Sequence, residues 1–204
     1  MATRGRPRSF NEDDALDLAM RVFWERGYEA AGVDDLAQAM GISMSSFYST
    51  FGDKEALFLA SLKKYETEKR GYASTILERS EPAAVTFQNL FNEAAHQLTR
   101  ADQPRGCMLT LALHNCSPEL EPLRNHLNER RAATVDAFEV RLKAARKSRE
   151  LDDGTDVRGL ACFFANTLQG MSLQARAGAT RKDLIKIGRW AMKAWPCRSN
   201  GYDH

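Results

Sequence analysis

Apolar residues recur at three- and four-residue intervals along almost the whole chain, and nowhere do they alternate with polar residues as a strand requires. The pattern predicts an all-α protein of about nine helices. Leu16, Ala19, Met20 and Phe23 stripe a first helix from about Asn11 to Arg26, with Trp24 beside them. Gly27 ends it and Tyr28 packs back. Leu36, Ala37 and Met40 mark a short second helix, and Phe47 and Phe51, four apart, anchor a third from Met44 to Thr50. From Glu55 one long helix is expected to about Arg79, carrying Leu57, Ala60, Leu62, Tyr65 and Tyr72. Gly71 interrupts that pattern at a cost of about 1 kcal/mol relative to Ala, without having to break the helix.

Ser80-Glu81-Pro82 marks a boundary, and a helix follows from Ala83 to Thr99. Pro104 breaks the chain again before a short apolar helix, MLTLAL, that runs towards Cys116. Ser117-Pro118 stops it, and a helix from near Glu119 to about Arg149 comes next. Residues 157 to 177 form the most apolar helix, and Arg181 to Trp195 the last. These final two are apolar on more than one side, so they need partners on both sides.

The most informative stretch is VDDLAQAMGISMSSFYSTFGDKEAL, Val33 to Leu57. Gly41 supplies the positive φ that closes a helix, Ile42 plugs the corner and Ser43 can cap the next helix. Gly52 breaks the chain, and Asp53 caps the helix that follows. Two helices around such a turn make a helix-turn-helix, whose second helix enters the major groove of DNA. The same spacing would also serve an ordinary helical hairpin. The surrounding residues sharpen the choice: DLAQAMGIS, FYSTFGDKEALF and the upstream Trp24-Glu25-Arg26-Gly27-Tyr28 resemble the N-terminal domain of TetR-family transcriptional regulators.

The resemblance implies roles for single positions. Ser43, Met44, Ser45, Ser46 and Ser49 would face base edges and phosphates, with Tyr48 and Lys54 on phosphates. Phe47 stands at a position usually apolar and is read as core. Ser45 stands where glycine is frequent in the family, and Ser49-Thr50 where bulky aromatic or His residues are frequent. Few bidentate groups remain, so reading would lean on thymine methyls, water and DNA shape. The resemblance further implies a C-terminal ligand and dimerisation domain, in which the last two helices of each copy build a four-helix dimer interface. A two-fold dimer matches a palindromic operator with half-sites ~34 Å apart or a multiple of that. The expected boundaries are a basic arm over 1–9, a reading head over 10–54, an effector and dimerisation domain over 55–196 and a tail over 197–204.

Composition fits this reading without demanding it. The chain has 204 residues, 43% hydrophobic and 27% charged, and no apolar run near the ~20 residues a bilayer span needs. With no secretory signal, the expected location is the cytoplasm, and no membrane partner is expected. A net charge of +2 does not point to nucleic acid, so the position of charge matters more than its total. Glu12, Asp13, Asp14 and Asp17 suit the positive start of the first helix and are read as pointing away from DNA. Arg4, Arg6 and Arg8 lie in an arm too polar to pack, and Arg4-Gly5-Arg6-Pro7 resembles an AT-hook, an element that lies in a narrow minor groove. A solubilising tail is the plainer reading of the same residues.

Release from DNA would come from an effector in the C-terminal half. Phe87, Phe91, Leu109, Leu113, Phe138, Phe164, Leu168 and Met171 could line an apolar cavity, or simply form core. Cys107 stands next to this set. It is expected in the first helical turn beside Arg105, where helix terminus and cation both favour thiolate. It could sense oxidants or electrophiles, or just fill space. The four cysteines, Cys107, Cys116, Cys162 and Cys197, are too scattered for a metal site or disulfide framework. His114 and Cys116 with His96 or His126 make a poor ligand set, so neither metal nor cofactor is expected. The expectation is therefore a homodimeric repressor of an operator, relieved by an unidentified small molecule or redox effector. The rivals are a thiol enzyme using Cys107 and His114, which lacks any nucleophile-elbow pattern or phosphate loop, and a helical protein that binds other proteins.

Overall fold

The sequence folds, in a computed structural model that describes residues 10–112 and 117–196, into ten α-helices and one 3-10 turn, with no strand among the described residues. Arg4, Arg6, Arg8, Leu113, His114, Cys116 and Cys197 lie outside that range. Helix α1 (Glu12–Ala30) begins at Asn11, whose side chain accepts the Asp13 N–H at 2.9 Å. Ala15, Ala19, Met20, Phe23 and Trp24 are its buried stripe. Gly27 leaves helical geometry at φ 77°, as its position suggested, but helical turns resume to Ala30. Helices α2 (Val33–Met40), α3 (Met44–Phe51) and α4 (Lys54–Glu68) follow, close to the predicted spans.

The long helix expected from Glu55 to Arg79 is two. After Glu68 the chain turns, and α5 runs Gly71–Leu77. The Tyr65 carbonyl accepts the N–H of both Lys69 (2.9 Å) and Arg70 (3.2 Å), the signature of a helix closing. The break falls just before the weak helix former Gly71, and Arg70 there donates to Thr134 of the helix opposite, at 3.2 Å. Helices α6 (Ala83–Gln97), α7 (Met108–Leu111), α8 (Glu121–Lys147), α9 (Val157–Arg176) and α10 (Arg181–Met192) complete the chain, with the 3-10 turn Pro118–Leu120 leading into α8. Helix α10 opens on a capping box: Thr180 Oγ1 accepts the Asp183 N–H and the Asp183 carboxylate accepts the Thr180 N–H. It stops short of the expected Trp195.

Two hydrophobic cores result. One joins α1 to α4 with Met108, Leu109, Leu123 and Leu127, and the other joins α6, α8, α9 and α10. Cys107 packs against both. In the second core Phe87, Phe91, Phe138 and Phe164 pack ring on ring, with centroids 4.9 to 5.5 Å apart.

Helices α6 and α10 cross where Gly188 meets Phe91. A Cβ at Gly188 would stand 2.6 Å from the Phe91 Cβ, which is sealed in the core. Gly188→Ala should therefore destabilise the protein by about 1–3 kcal/mol through overpacking. Urea unfolding should show a lower midpoint at an unchanged slope.

Candidate DNA-reading head and effector cavity

The reading head is held from behind by aromatic rings. Phe58 of α4 packs edge-on against Phe23 and Tyr28, each at 5.1 Å, and Phe47 is fully buried. Each buried ring of this kind stabilises by about 1.5–3 kcal/mol, so α3 is firmly seated on its Phe47 side. Gly41, left-handed at φ 66°, makes the turn between α2 and α3. An ion pair between Arg26 and Asp35 at 2.6 Å ties α1 to α2.

The opposite side of α3 is open. Met44, Ser45, Tyr48 and Ser49 are exposed, and Ser46 is half-buried. Ser43 is exposed as well, but its hydroxyl caps the helix: it accepts the Ser46 N–H at 3.1 Å and lies 3.0 Å from the Ser46 hydroxyl. Tyr48 stands out at 53% exposure, its ring edge-on to Phe47. Lys54 lies at the start of α4 with its ammonium over the Tyr28 ring at 4.5 Å, donating to the Glu29 carbonyl at 3.3 Å. Helix α1 has no basic residue in its last turn, so Lys54 supplies the cation its C-terminus lacks. Burial lowers the Lys54 pKa, and Glu29 opposes that. An ammonium has three donors, so donors remain beyond the Glu29 bond.

The acids of the first turn of α1 do more than match its dipole. Asp13 and Asp17 accept from Lys64 of α4 at 2.6 and 3.3 Å, so they brace the head internally.

In the C-terminal half, a cavity of about 50 Å³ opens between α5, α6, α7, α8 and α9. Cys107, Leu109 and Leu168, three of the expected lining residues, border it. Phe87, Phe91, Phe138, Phe164 and Met171 do not; they are sealed in the second core, where ring-on-ring packing takes up the space. The lining that pattern reading missed is mostly polar, Arg70, Tyr72, Thr110, Arg131, Thr134 and Gln169, with the apolar Ala94, Leu98 and Ala165. Arg70 and Tyr72 flank the unexpected helix break, which turns both inward. The available signal was Gly71 interrupting the pattern.

Cys107 also departs from expectation. Helix α7 is a single turn, and Cys107 precedes it in extended conformation. Arg105 does not reach the thiol: its Nε donates to the Ala175 carbonyl at 2.9 Å and its Nη2 to the Ala179 carbonyl. The cations near Cys107 are instead Arg70 and Arg131, and the buried Tyr65 hydroxyl is close to it. Burial first, and Cys107 second, push the Tyr65 hydroxyl well above its ordinary pKa, and the same two causes raise Tyr72. The Cys107 N–H donates to Ser172 Oγ of α9 at 2.8 Å. Among the described residues no cluster of His, Cys, Asp and Glu could hold a metal, and no helix is long and apolar enough to cross a membrane.

An exposed helix seated on a helix-turn-helix head, joined to a separate helical core with a cavity, defines a one-component regulator of transcription. Residues 15–61 match the model of the bacterial regulatory proteins of the tetR family, and residues 85–186 that of the tetracyclin repressor-like C-terminal domain. The chain is 32% identical over 198 residues to the HTH-type transcriptional repressor ComR of Escherichia coli K12, covering 95% of this chain and 93% of ComR. It is 24% identical over 190 residues to the repressor BdcR of the same organism, covering 93% and 91%. Among solved structures it is similar to a cysteine mutant of the TetR-family regulator CifR complexed with 26-base-pair operator DNA, at 36% identity and TM-score 0.91, covering 94% of this chain and all of that one. The chain belongs to the TetR family. It is a DNA-binding transcriptional regulator.

The Ser43 cap gives a test of the head that needs no DNA. Ser43→Ala should cost about 1 kcal/mol of stability by removing the acceptor for the Ser46 N–H, measured as a lower thermal midpoint.

Proposed function

We propose that this protein is a repressor whose two α3 helices seat in major grooves of a palindromic operator, and that an effector acting at the Cys107 cavity releases it. It regulates rather than catalyses, and its place of action is the cytoplasm. Met44, Ser45, Ser46, Tyr48 and Ser49 form the reading surface, with Ser43 shaping its start and Lys54 on a phosphate. Arg4, Arg6 and Arg8 add affinity through the minor groove. The surface of α3 offers small hydroxyls and a thioether rather than forked donors, so DNA shape carries much of the specificity. The domain boundaries at 9, 54 and 196 are part of the same reading.

Dimerisation has a matching surface. Gly159, Phe163, Asn166, Gly170 and Leu173 fall at helical spacing on one side of α9, and Phe163 and Leu173 are 44% and 47% exposed. Trp190 of α10 is 67% exposed. Apolar side chains exposed in this number on adjacent helices suit a second copy.

The observation that carries the effector reading is that Cys107 lies at the seam between the two cores. Its N–H bonds α9, and its side chain lies near Tyr65 of α4, the helix that follows the helix-turn-helix. Alkylation, forming a carbon–sulfur bond with loss of the thiol proton, would add atoms where about 50 Å³ is free. The surplus volume must shift α4 against α9, changing the spacing of the two heads. The CifR operator complexes, too, were obtained with cysteine substitutions.

Two measurements test this. Lys54→Ala should weaken binding to operator and non-operator duplexes alike and reduce the salt slope by about one, read by gel shift across a salt series. Cys107→Ser should bind operator normally but no longer release it when treated with a small electrophile; release equal to wild type would remove the thiol from the mechanism.

A further inference from the structure

The cavity beside Cys107 is unusual in its charge. Arg131 of α8 is held only by neutral acceptors: Nη1 donates to Asn128 Oδ1 at 2.9 Å, and Nη2 to the carbonyls of Leu109 at 2.9 Å and Thr110 at 3.4 Å. Its Nε is enclosed and has no hydrogen-bond partner. No carboxylate among the described residues pairs with this guanidinium, and burial lowers its pKa. A desolvated cation with an orphaned N–H is costly unless something supplies the missing acceptor.

The second cation, Arg70, does not supply it. Arg70 donates to Thr134 at 3.2 Å and lies 3.8 Å from Glu66. The Glu66 carboxylate is itself engaged by Arg130 at 2.6 and 3.0 Å. The cavity therefore presents two guanidinium groups against one carboxylate that a third arginine already shares. The remaining wall is short and apolar, with Leu109, Ala165 and Leu168. A volume of about 50 Å³ holds about four water-sized groups.

We infer that this cavity recognises a small carboxylate, with the guanidinium groups of Arg131 and Arg70 that line it as donors and the apolar wall around its one- or two-carbon tail. Guanidinium groups are the side chains suited to a carboxylate by geometry and charge together. Such an anion would bridge Arg70, at the joint between α4 and α5, to Arg131 on α8. It would thereby stiffen the link between the reading head and the C-terminal core. The inference rests on the effector reading above and narrows it to a chemical class.

Acetate and acetamide have the same shape and differ in charge, so they separate this idea from simple cavity filling. The protein is unfolded thermally in rising acetate, with chloride exchanged to hold ionic strength constant. Acetate should raise the midpoint in a saturable way, as binding to the native state alone requires, while acetamide and chloride should not. Arg131→Gln should abolish the saturable rise, its fold checked by circular dichroism. The thermal series involves no thiol chemistry, so the anion and thiol readings fail separately. Should Arg131→Gln not fold, wild type still decides. Acetate at about ten times its Kd should slow alkylation of Cys107 by iodoacetamide about tenfold and leave Cys162, the other free thiol among the described residues, unaffected. A Cys107 that never reacts counts against the thiol reading alone, and the thermal series then judges the anion. Equal responses to acetate, acetamide and chloride, or an undiminished acetate response in Arg131→Gln, would overturn the inference.

Discussion

The Tyr28 N–H donates to the Ala112 carbonyl at 3.2 Å, and the attitude of the reading head depends on this bond and its neighbours. Trp24 Nε1 donates to the Gly106 carbonyl at 3.1 Å in the buried interior, and Arg176 of α9 donates to the carbonyls of Trp24 and Glu25, each at 2.6 Å. The end of α1 is thus bonded to both sides of the one-turn helix α7 and to α9. Space enforces the arrangement. A Cβ at Gly106 would stand 2.7 Å from Leu111 Cδ1 and 3.0 Å from the Ser172 carbonyl, so α7 can lie this close to α9 only with glycine there. Buried main-chain bonds of this kind are poorly replaced by water. A displacement of α7 must therefore move α1, and α1 carries the helix-turn-helix.

Charge is organised by the same economy of contacts. Several acids and bases pair within or between helices: Lys64 is 8% exposed and meets Asp13, Asp17 and Glu68, while Arg158 bridges Asp136 and Glu139. The exposed pairs contribute little individually, since water screens them. Among the described residues, two cations without a carboxylate partner stand out by their surroundings. Lys54 lies over a tyrosine ring at the edge of the head, and Arg131 lies in the C-terminal cavity. A chain with a formal charge of only +2 can in this way offer a local cation to a phosphate and another to an effector.

Operator reading and effector response follow different physical logics in this molecule. The α3 surface is built from short side chains that can approach a groove closely but fork to few base edges. The cavity is small, polar on one side and bounded by residues from helices far apart in sequence. It has room for groups of a few atoms, and a change of a few atoms there is large relative to the space available.

Much of the fold was legible in the residues themselves. Helix periodicity is a local property, and so are Gly41, Ser43 and Asp53 as punctuation; these identified the reading head, the exposed residues on α3 and the order of the helices. Volume and long-range partnership are not local. The break at Lys69–Arg70 depends on what Arg70 meets on α8. Phe87, Phe91, Phe138 and Phe164 have the composition of a pocket wall, and only their mutual packing makes them a sealed core. Arg105 is beside Cys107 in the chain, yet its guanidinium turns to α9, and the cations that do reach the sulfur's surroundings come from positions 70 and 131. The sequence alone determined a helix-turn-helix, because helix faces and caps are written at short spacing, and the resemblance of its motifs to TetR-family regulators implied the type. Only the tertiary structure decided where its cavity lies and what charge lines it, because those follow from which distant side chains compete for the same few cubic ångströms.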